Sequence, residues 1–152
     1  MKKIVLALGT GLGAGYSPFI PGTIGSLWGV ILYLLIWAIF PNFLSQAVVL
    51  IIIFGMGIWI SGKCEEYLKV KDNPHIVIDE VAGFLVSVFF FPFSFRFLII
   101  GFILFRLFDI AKPFKIDKIG KLPKGWGIML DDLAAGALAN IVLRVIASMA
   151  GW

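Results

Sequence analysis

The chain has 152 residues, of which 61% are hydrophobic and only 14% charged, and its mean hydropathy is +1.03. Soluble domains are nearer half apolar, so this composition lacks the polar surface to coat a globular core in water and points to a membrane protein. A net charge of +4 on such a chain fits attraction to anionic lipid headgroups and argues against a nucleic-acid partner.

The first residues, Met1-Lys2-Lys3 followed by the apolar run 4–8, make a shorter apolar stretch than the roughly 7–15 residues of a signal-peptide core. The segment is expected to be retained. Residues 9–26 are rich in glycine and proline and lead straight into a long apolar run. Thr23 is a natural N-cap for that helix, and a helix N-terminus is a ready anion site. Taken alone, the segment is better explained as a structural turn before a membrane helix. It lacks the Lys-Ser/Thr ending of a P-loop, so nucleotide binding is not indicated.

Charge-free runs at 24–40 and 43–60, parted by Pro41-Asn42, predict a helical hairpin. Runs 76–91 and 95–109, parted by Pro92 and Ser94, predict a second, and 128–150 a last helix. Each is near the length that spans a bilayer at about 1.5 Å per residue, with the first or third alternatively re-entrant. The expectation is an all-α, polytopic membrane protein: one domain over residues 1–152, with four or five membrane helices in a compact bundle. If all five runs span, eleven of the thirteen Lys and Arg residues fall on one side and only Arg96 and Arg144 towards the other. The positive-inside rule makes the lysine-rich side cytoplasmic.

The same topology sends every carboxylate to the lysine-rich side. Asp79 and Glu80 fall in the first turns of the third helix, Asp109 near the end of the fourth, and Asp131 and Asp132 near the start of the fifth. Even near the interface, five acids from three helices would repel one another, and a divalent cation is the simplest remedy. Magnesium takes hard oxygen ligands and often links carboxylates to a substrate phosphate. Separate ion pairs with Arg106, Lys112 and the loop lysines are the other explanation. Sequence neighbours on a helix point about 100° apart, so one of each acidic pair is expected to bind metal directly and the other to serve a water, a base or a second metal. Gly83 and Gly136 lie one turn after Asp79 and Asp132, where small residues let helices approach closely.

Other phosphate chemistries fit poorly. Cys64 is followed by Glu65 and Glu66, which would repel phosphate and disfavour a thiolate. The one histidine, His75, cannot form a two-histidine site, and no GxSxG elbow is present. Carboxylate-and-metal chemistry remains, with a covalent aspartyl-phosphate left open. A metal-dependent phosphatidyl-group transferase or a cation-conducting subunit would also use membrane carboxylates. The first would need aspartates spread over two consecutive helices, the second acids at mid-membrane or on both faces.

Four motifs in order, Pro21-Gly22-Thr23-Ile24-Gly25-Ser26-Leu27, Ile76-Val77-Ile78-Asp79-Glu80-Val81-Ala82-Gly83, Phe105-Arg106-Leu107-Phe108-Asp109-Ile110-Ala111-Lys112-Pro113 and Gly127-Ile128-Met129-Leu130-Asp131-Asp132-Leu133-Ala134-Ala135-Gly136, resemble those of the phosphatidylglycerophosphatase A family. The resemblance spans nearly the whole chain. It implies a magnesium-dependent enzyme of the bacterial inner membrane that removes the terminal phosphate of phosphatidylglycerophosphate, a phospholipid of the inner leaflet, at the cytoplasmic face. It also implies Asp79, Glu80, Asp109, Asp131 and Asp132 as metal or catalytic acids, and Thr23, Ser26, Arg106 and Lys112 as phosphate contacts. The residue two after Pro113 is Lys115 rather than a second proline, a departure that touches nothing catalytic. The oligomeric state stays open.

Overall fold

A computed structural model describes residues 1–40 and 42–152. Pro41 of the expected Pro41-Asn42 turn lies outside the described residues, as do the side chains of Lys115, Asp117 and Lys118 from the lysine-rich side. Six α-helices make up most of the described residues, and no strand occurs among them. They are α1 (Lys2–Gly9), α2 (Pro21–Ile39), α3 (Phe43–Leu68), α4 (Ile78–Ser87), α5 (Phe95–Ala111) and α6 (Trp126–Met149), with 3-10 segments at Ala14–Tyr16 and Pro113–Lys121.

The directions of the helices follow from their neighbours. Gly22 at the start of α2 meets Glu80 of α4 and Arg106 late in α5, and Gly83 meets the Asp132 backbone. At the other end, Tyr33 stacks on Phe93 and Gly101 meets Leu143. Thus α2, α4 and α6 run away from the acidic end, and α3 and α5 run back to it. The core between them is apolar, built on Phe84, Phe105, Leu85, Val88 and Ala139. A second cluster seats α1 on α3, with Val5 buried against Ile60 and Cys64. Cys64 is fully buried there, its thiol 3.6 Å from the Val5 carbonyl.

Three helices, α2, α3 and α6, are long and apolar enough to cross a membrane. Their outward side chains, among them Ile31, Leu35, Ile51, Met56, Ile141 and Val145, are exposed. A belt of this kind needs lipid around it. The expected boundaries shift in three places. Helix α3 continues past residue 60 to Leu68, because lysine and glutamate sustain a helix and Lys63 bridges Glu66 at 2.6 Å. Helix α5, with 17 residues, falls just short of the clear spans. The largest change is in α4, which was expected over 76–91 but holds only 10 residues. Its chain turns at Phe90, whose φ is +65°, and Pro92 disfavours helix in the residue before it.

What ends α4 is a side chain from elsewhere. Asn140 of α6 donates its amide nitrogen to the carbonyls of Val86, Ser87 and Phe89 at 2.8–3.1 Å. Arg144 donates to the Asn140 side chain and again to Phe89, and lies over the Phe91 ring. These contacts satisfy carbonyls that a helix C-terminus otherwise leaves open, a necessity where no water reaches. The other constraint on α4 is contact: a Cβ on Gly136 would collide with the Gly83 carbonyl, so the two backbones touch.

Two outcomes test this arrangement. Gly136→Leu should lower stability by about 1–3 kcal/mol or more by forcing α4 and α6 apart, read as a lower thermal midpoint in detergent. Asn140→Leu, which takes the amide donor from the Val86, Ser87 and Phe89 carbonyls and leaves that of Ser87 unpaired, should cost about 1–3 kcal/mol in the same measurement and leave the segment after Ser87 more open to proteolysis.

Candidate active site

The acidic site begins with the loop before α4. His75 Nδ1 lies 2.8 Å from the Gly15 carbonyl, and Val77 donates its N–H to the Gly9 carbonyl at 2.8 Å. The glycine-rich segment thereby fixes the point where α4 starts. Asp79 and Glu80 then occupy its first turn, where negative charge meets open N–H groups and the positive end of the helix dipole. Helix α6 brings Asp132 alongside, drawn close by the Gly83–Gly136 contact.

One carboxylate oxygen each from Asp79, Glu80 and Asp132 lie within 4.8 Å of one another. Asp79 and Asp132 are buried, and Asp79 Oδ1, Glu80 Oε2 and Asp132 Oδ2 have no hydrogen-bond partner among the described residues. Buried carboxylate oxygens seldom stay unsatisfied, because each costs its desolvation energy. Three together, all hard oxygen donors, fit a metal cation of the kind that prefers carboxylates, and Asp79, Glu80 and Asp132 are the residues that would hold it.

Two cations flank the cluster, each with its own acid. Arg106 Nη1 pairs with Asp109 Oδ2 at 2.6 Å, one turn along α5. Lys112 Nζ pairs with Asp131 Oδ2 at 2.5 Å. Burial works against the Lys112 charge, but the Asp131 hydrogen bond and the nearby Asp131, Asp132 and Asp109 carboxylates outweigh it. They hold this ammonium above the usual lysine range. Lys112 is placed by the end of α5, where its backbone takes a left-handed turn at φ +40° before Pro113. Asp131 and Asp132 diverge, one to Lys112 and the other to the cluster. Asp79 and Glu80 do not diverge. The longer Glu80 side chain brings one oxygen within 4.8 Å of those of Asp79 and Asp132, so both members of this pair reach the cluster.

The start of α2 closes the site. Pro21 takes the first helical position, which its fixed φ suits, so α2 begins three residues earlier than predicted. Thr23 is consequently half-buried in the first turn rather than an N-cap; Ile20 holds that place without a side-chain hydrogen bond. The first helical bond runs from Ile24 N–H to the Ile20 carbonyl, which leaves the Gly22 and Thr23 N–H groups outside the ladder. Ser26 is fully buried and donates its hydroxyl to the Gly22 carbonyl at 2.9 Å. A Cβ on Gly22 would stand 3.0 Å from both terminal nitrogens of Arg106, so glycine is what lets α2 approach the acid–guanidinium pair.

Two supporting groups were not foreseen. Glu65 accepts from the backbone N–H groups of Asp72 and Gly125 at 2.9 and 3.3 Å, tying two loops at the same end. Asn140 and Arg144 anchor α4 from the far end. Asp132, Gly136, Asn140 and Arg144 are spaced i, i+4 and so share one face of α6; that spacing does not say which backbone the face holds.

The family description phosphatidylglycerophosphatase A matches residues 7–147. A Haemophilus influenzae protein named phosphatidylglycerophosphatase A is 36% identical, over 96% of this chain and 93% of its own length. An Escherichia coli protein of the same name is 32% identical, over 91% of this chain and 81% of its own. A Bacteroides thetaiotaomicron protein, provisionally named a phosphatidylinositol-3-phosphatase, is 35% identical over 91% of this chain and 90% of its own. No solved structure matches. The family match covers all five carboxylates and both cations of the site, and the chain belongs to the phosphatidylglycerophosphatase A family.

Proposed function

We propose that this protein hydrolyses the terminal phosphate of phosphatidylglycerophosphate to give phosphatidylglycerol, with magnesium, at the cytoplasmic face of a bacterial inner membrane. Family membership supports the activity, and nothing favours a transferase or a cation-conducting subunit. The observation that carries the reading is the trio Asp79, Glu80 and Asp132, with Asp79 and Asp132 buried and Glu80 half-buried, beside two cations at the end of α5. The crowding of lysines towards the same end supports the cytoplasmic orientation.

Asp79, Glu80 and Asp132 would hold magnesium, which would supply positive charge to polarise a phosphoryl group and make water more acidic. The chain's own residues do the rest. Arg106 and Lys112 meet the anionic phosphate and offset charge that grows on its oxygens as the bond to the leaving group breaks. Asp109 and Asp131 position these cations and keep them from collapsing onto the trio. The open N–H groups of Gly22 and Thr23 add donors for the anion. A carboxylate of the trio takes the proton of the attacking water. The acyl chains of the lipid lie along the exposed apolar faces of the helices.

Phosphate release from phosphatidylglycerophosphate by purified protein in detergent should stop on chelation and return with magnesium. Activity that persists through exhaustive chelation would sink the metal reading. Phosphatidylinositol 3-phosphate belongs in the same assay, and faster release from it would move this chain to the reaction named for the Bacteroides relative.

Asp79→Asn should lower turnover about 10²–10⁴-fold, the usual weight of a general base or its equivalent. It removes one of three crowded like charges, so its thermal midpoint in chelator should equal or exceed that of the wild type. The rise that magnesium gives the wild type through binding should be missing.

Orientation is tested with Lys121→Cys. A membrane-impermeant maleimide should label it in inverted vesicles and spare it in intact spheroplasts, with the buried Cys64 silent in both. The opposite pattern would invert the topology.

A further inference from the structure

A groove of about 870 Å³ opens between the second half of α3 and the loop entering α6. It shares no lining residue with the acidic trio. Its walls include Gly55, Trp59 and Trp126, and lysines gather at its upper edge. The two tryptophans are 52% and 48% exposed, as indole rings are at the headgroup level of a bilayer.

The lysines are not equivalent. Lys63 is held by Glu66, and Lys71 donates to the Lys121 carbonyl at 3.2 Å. Lys69 and Lys124 have neither ion pair nor hydrogen bond among the described residues, and both stand at φ +57°. Left-handed backbone is unfavourable for any residue with a Cβ, so two lysines there on one rim call for something to hold them. Glu65, another lining residue, does so: its two oxygens accept the Asp72 and Gly125 N–H groups and bind both lysine-bearing loops to one carboxylate. Gly125 in turn seats against the Ile58 carbonyl and Gly62. The result is two uncommitted ammonium groups held above an aromatic, apolar slot.

We infer that this groove is an accessory site for one anionic phospholipid of the surrounding bilayer, separate from the substrate site. Its headgroup lies between Lys69 and Lys124 and an acyl chain lies in the slot beside Trp59 and Trp126. A zwitterionic lipid would bring no net negative charge to the two ammonium groups, and a free phosphate would leave the apolar floor unused. The inference rests on residence in a membrane and stands apart from the phosphatase reading.

The full chain in phosphatidylcholine nanodiscs, doped with brominated lipid, provides the test, because bromine quenches nearby tryptophan. Brominated phosphatidylserine should quench at a several-fold lower mole fraction than brominated phosphatidylcholine. Lys69→Gln/Lys124→Gln should abolish that preference while Lys2→Gln/Lys3→Gln, which removes two charges elsewhere, should keep it. Lys69→Gly/Lys124→Gly relaxes both backbone positions, so it should melt no lower than the wild type and still lose the preference. Equal quenching by the two lipids in the wild type would overturn the site. So would an equal loss in the Lys2/Lys3 control, which would mean general charge attraction. Displacement by millimolar inorganic phosphate would overturn it as well, in favour of a soluble-anion site.

Discussion

The contact between α4 and α6 at Gly83 and Gly136 is the constraint on which the rest depends. With a side chain at either position the helices would separate, and Asp132 would leave Asp79 and Glu80. Holding them together is costly. Two ionised groups within 4.8 Å of one another repel by roughly 3 kcal/mol or more at an effective dielectric near 20, and the trio contains three such pairs. That sum rivals the whole net stability of an ordinary domain, about 5–15 kcal/mol. Packing alone does not favour such an arrangement; compensating positive charge does, from protons or from a cation. A bundle that forces three carboxylates together has in effect stored an affinity for positive charge.

The remaining polar groups show how that repulsion is contained. Arg106 and Lys112 could have neutralised the trio directly, but Asp109 and Asp131 engage them first. The division leaves the trio's oxygens open and holds both cations beside it, as a phosphate requires. At the opposite end Asn140 and Arg144 grip the carbonyls after α4. One face of α6 therefore carries a carboxylate, a point of backbone contact and an anchor in successive turns. Together these fix α4 along its length, so the acids on its first turn cannot relax their repulsion by sliding.

Much of this was legible in the sequence, and the limits of legibility have physical causes. The hairpins and the gathering of acids at one end follow from apolar runs and alternating direction, which are local or nearly so. The shortness of α4 is different. Its run of apolar residues continues to Phe91, and what stops the helix is a turn at Phe90 and an asparagine some fifty residues away. Pro21 signals the early start of α2, yet Thr23 offered an equally good cap two residues on. The convergence of Asp79 and Glu80 depends on the reach of the longer glutamate side chain, which helical periodicity does not describe. Glu65 resembles any solvated glutamate until the loops on either side of it are folded.

The site's depth also follows from the solvent. Carboxylates at mid-bilayer would be expensive to insert, by about 2.5–3.5 kcal/mol each on translocon scales, whereas at the helix ends the cost is smaller. With its acids at helix ends the protein needs no deep polar cavity. What it does need is the N-terminus of one helix close to a second and a third helix end. The α4 segment supplies this because it begins at the acidic end and stops early. Its first turn carries the acids, its dipole favours anions there, and its brevity leaves the far carbonyls to Asn140 and Arg144. A full-length fourth span could cross the membrane, but it would satisfy its own carbonyls and lose the anchorage that keeps Asp79 and Glu80 against Asp132.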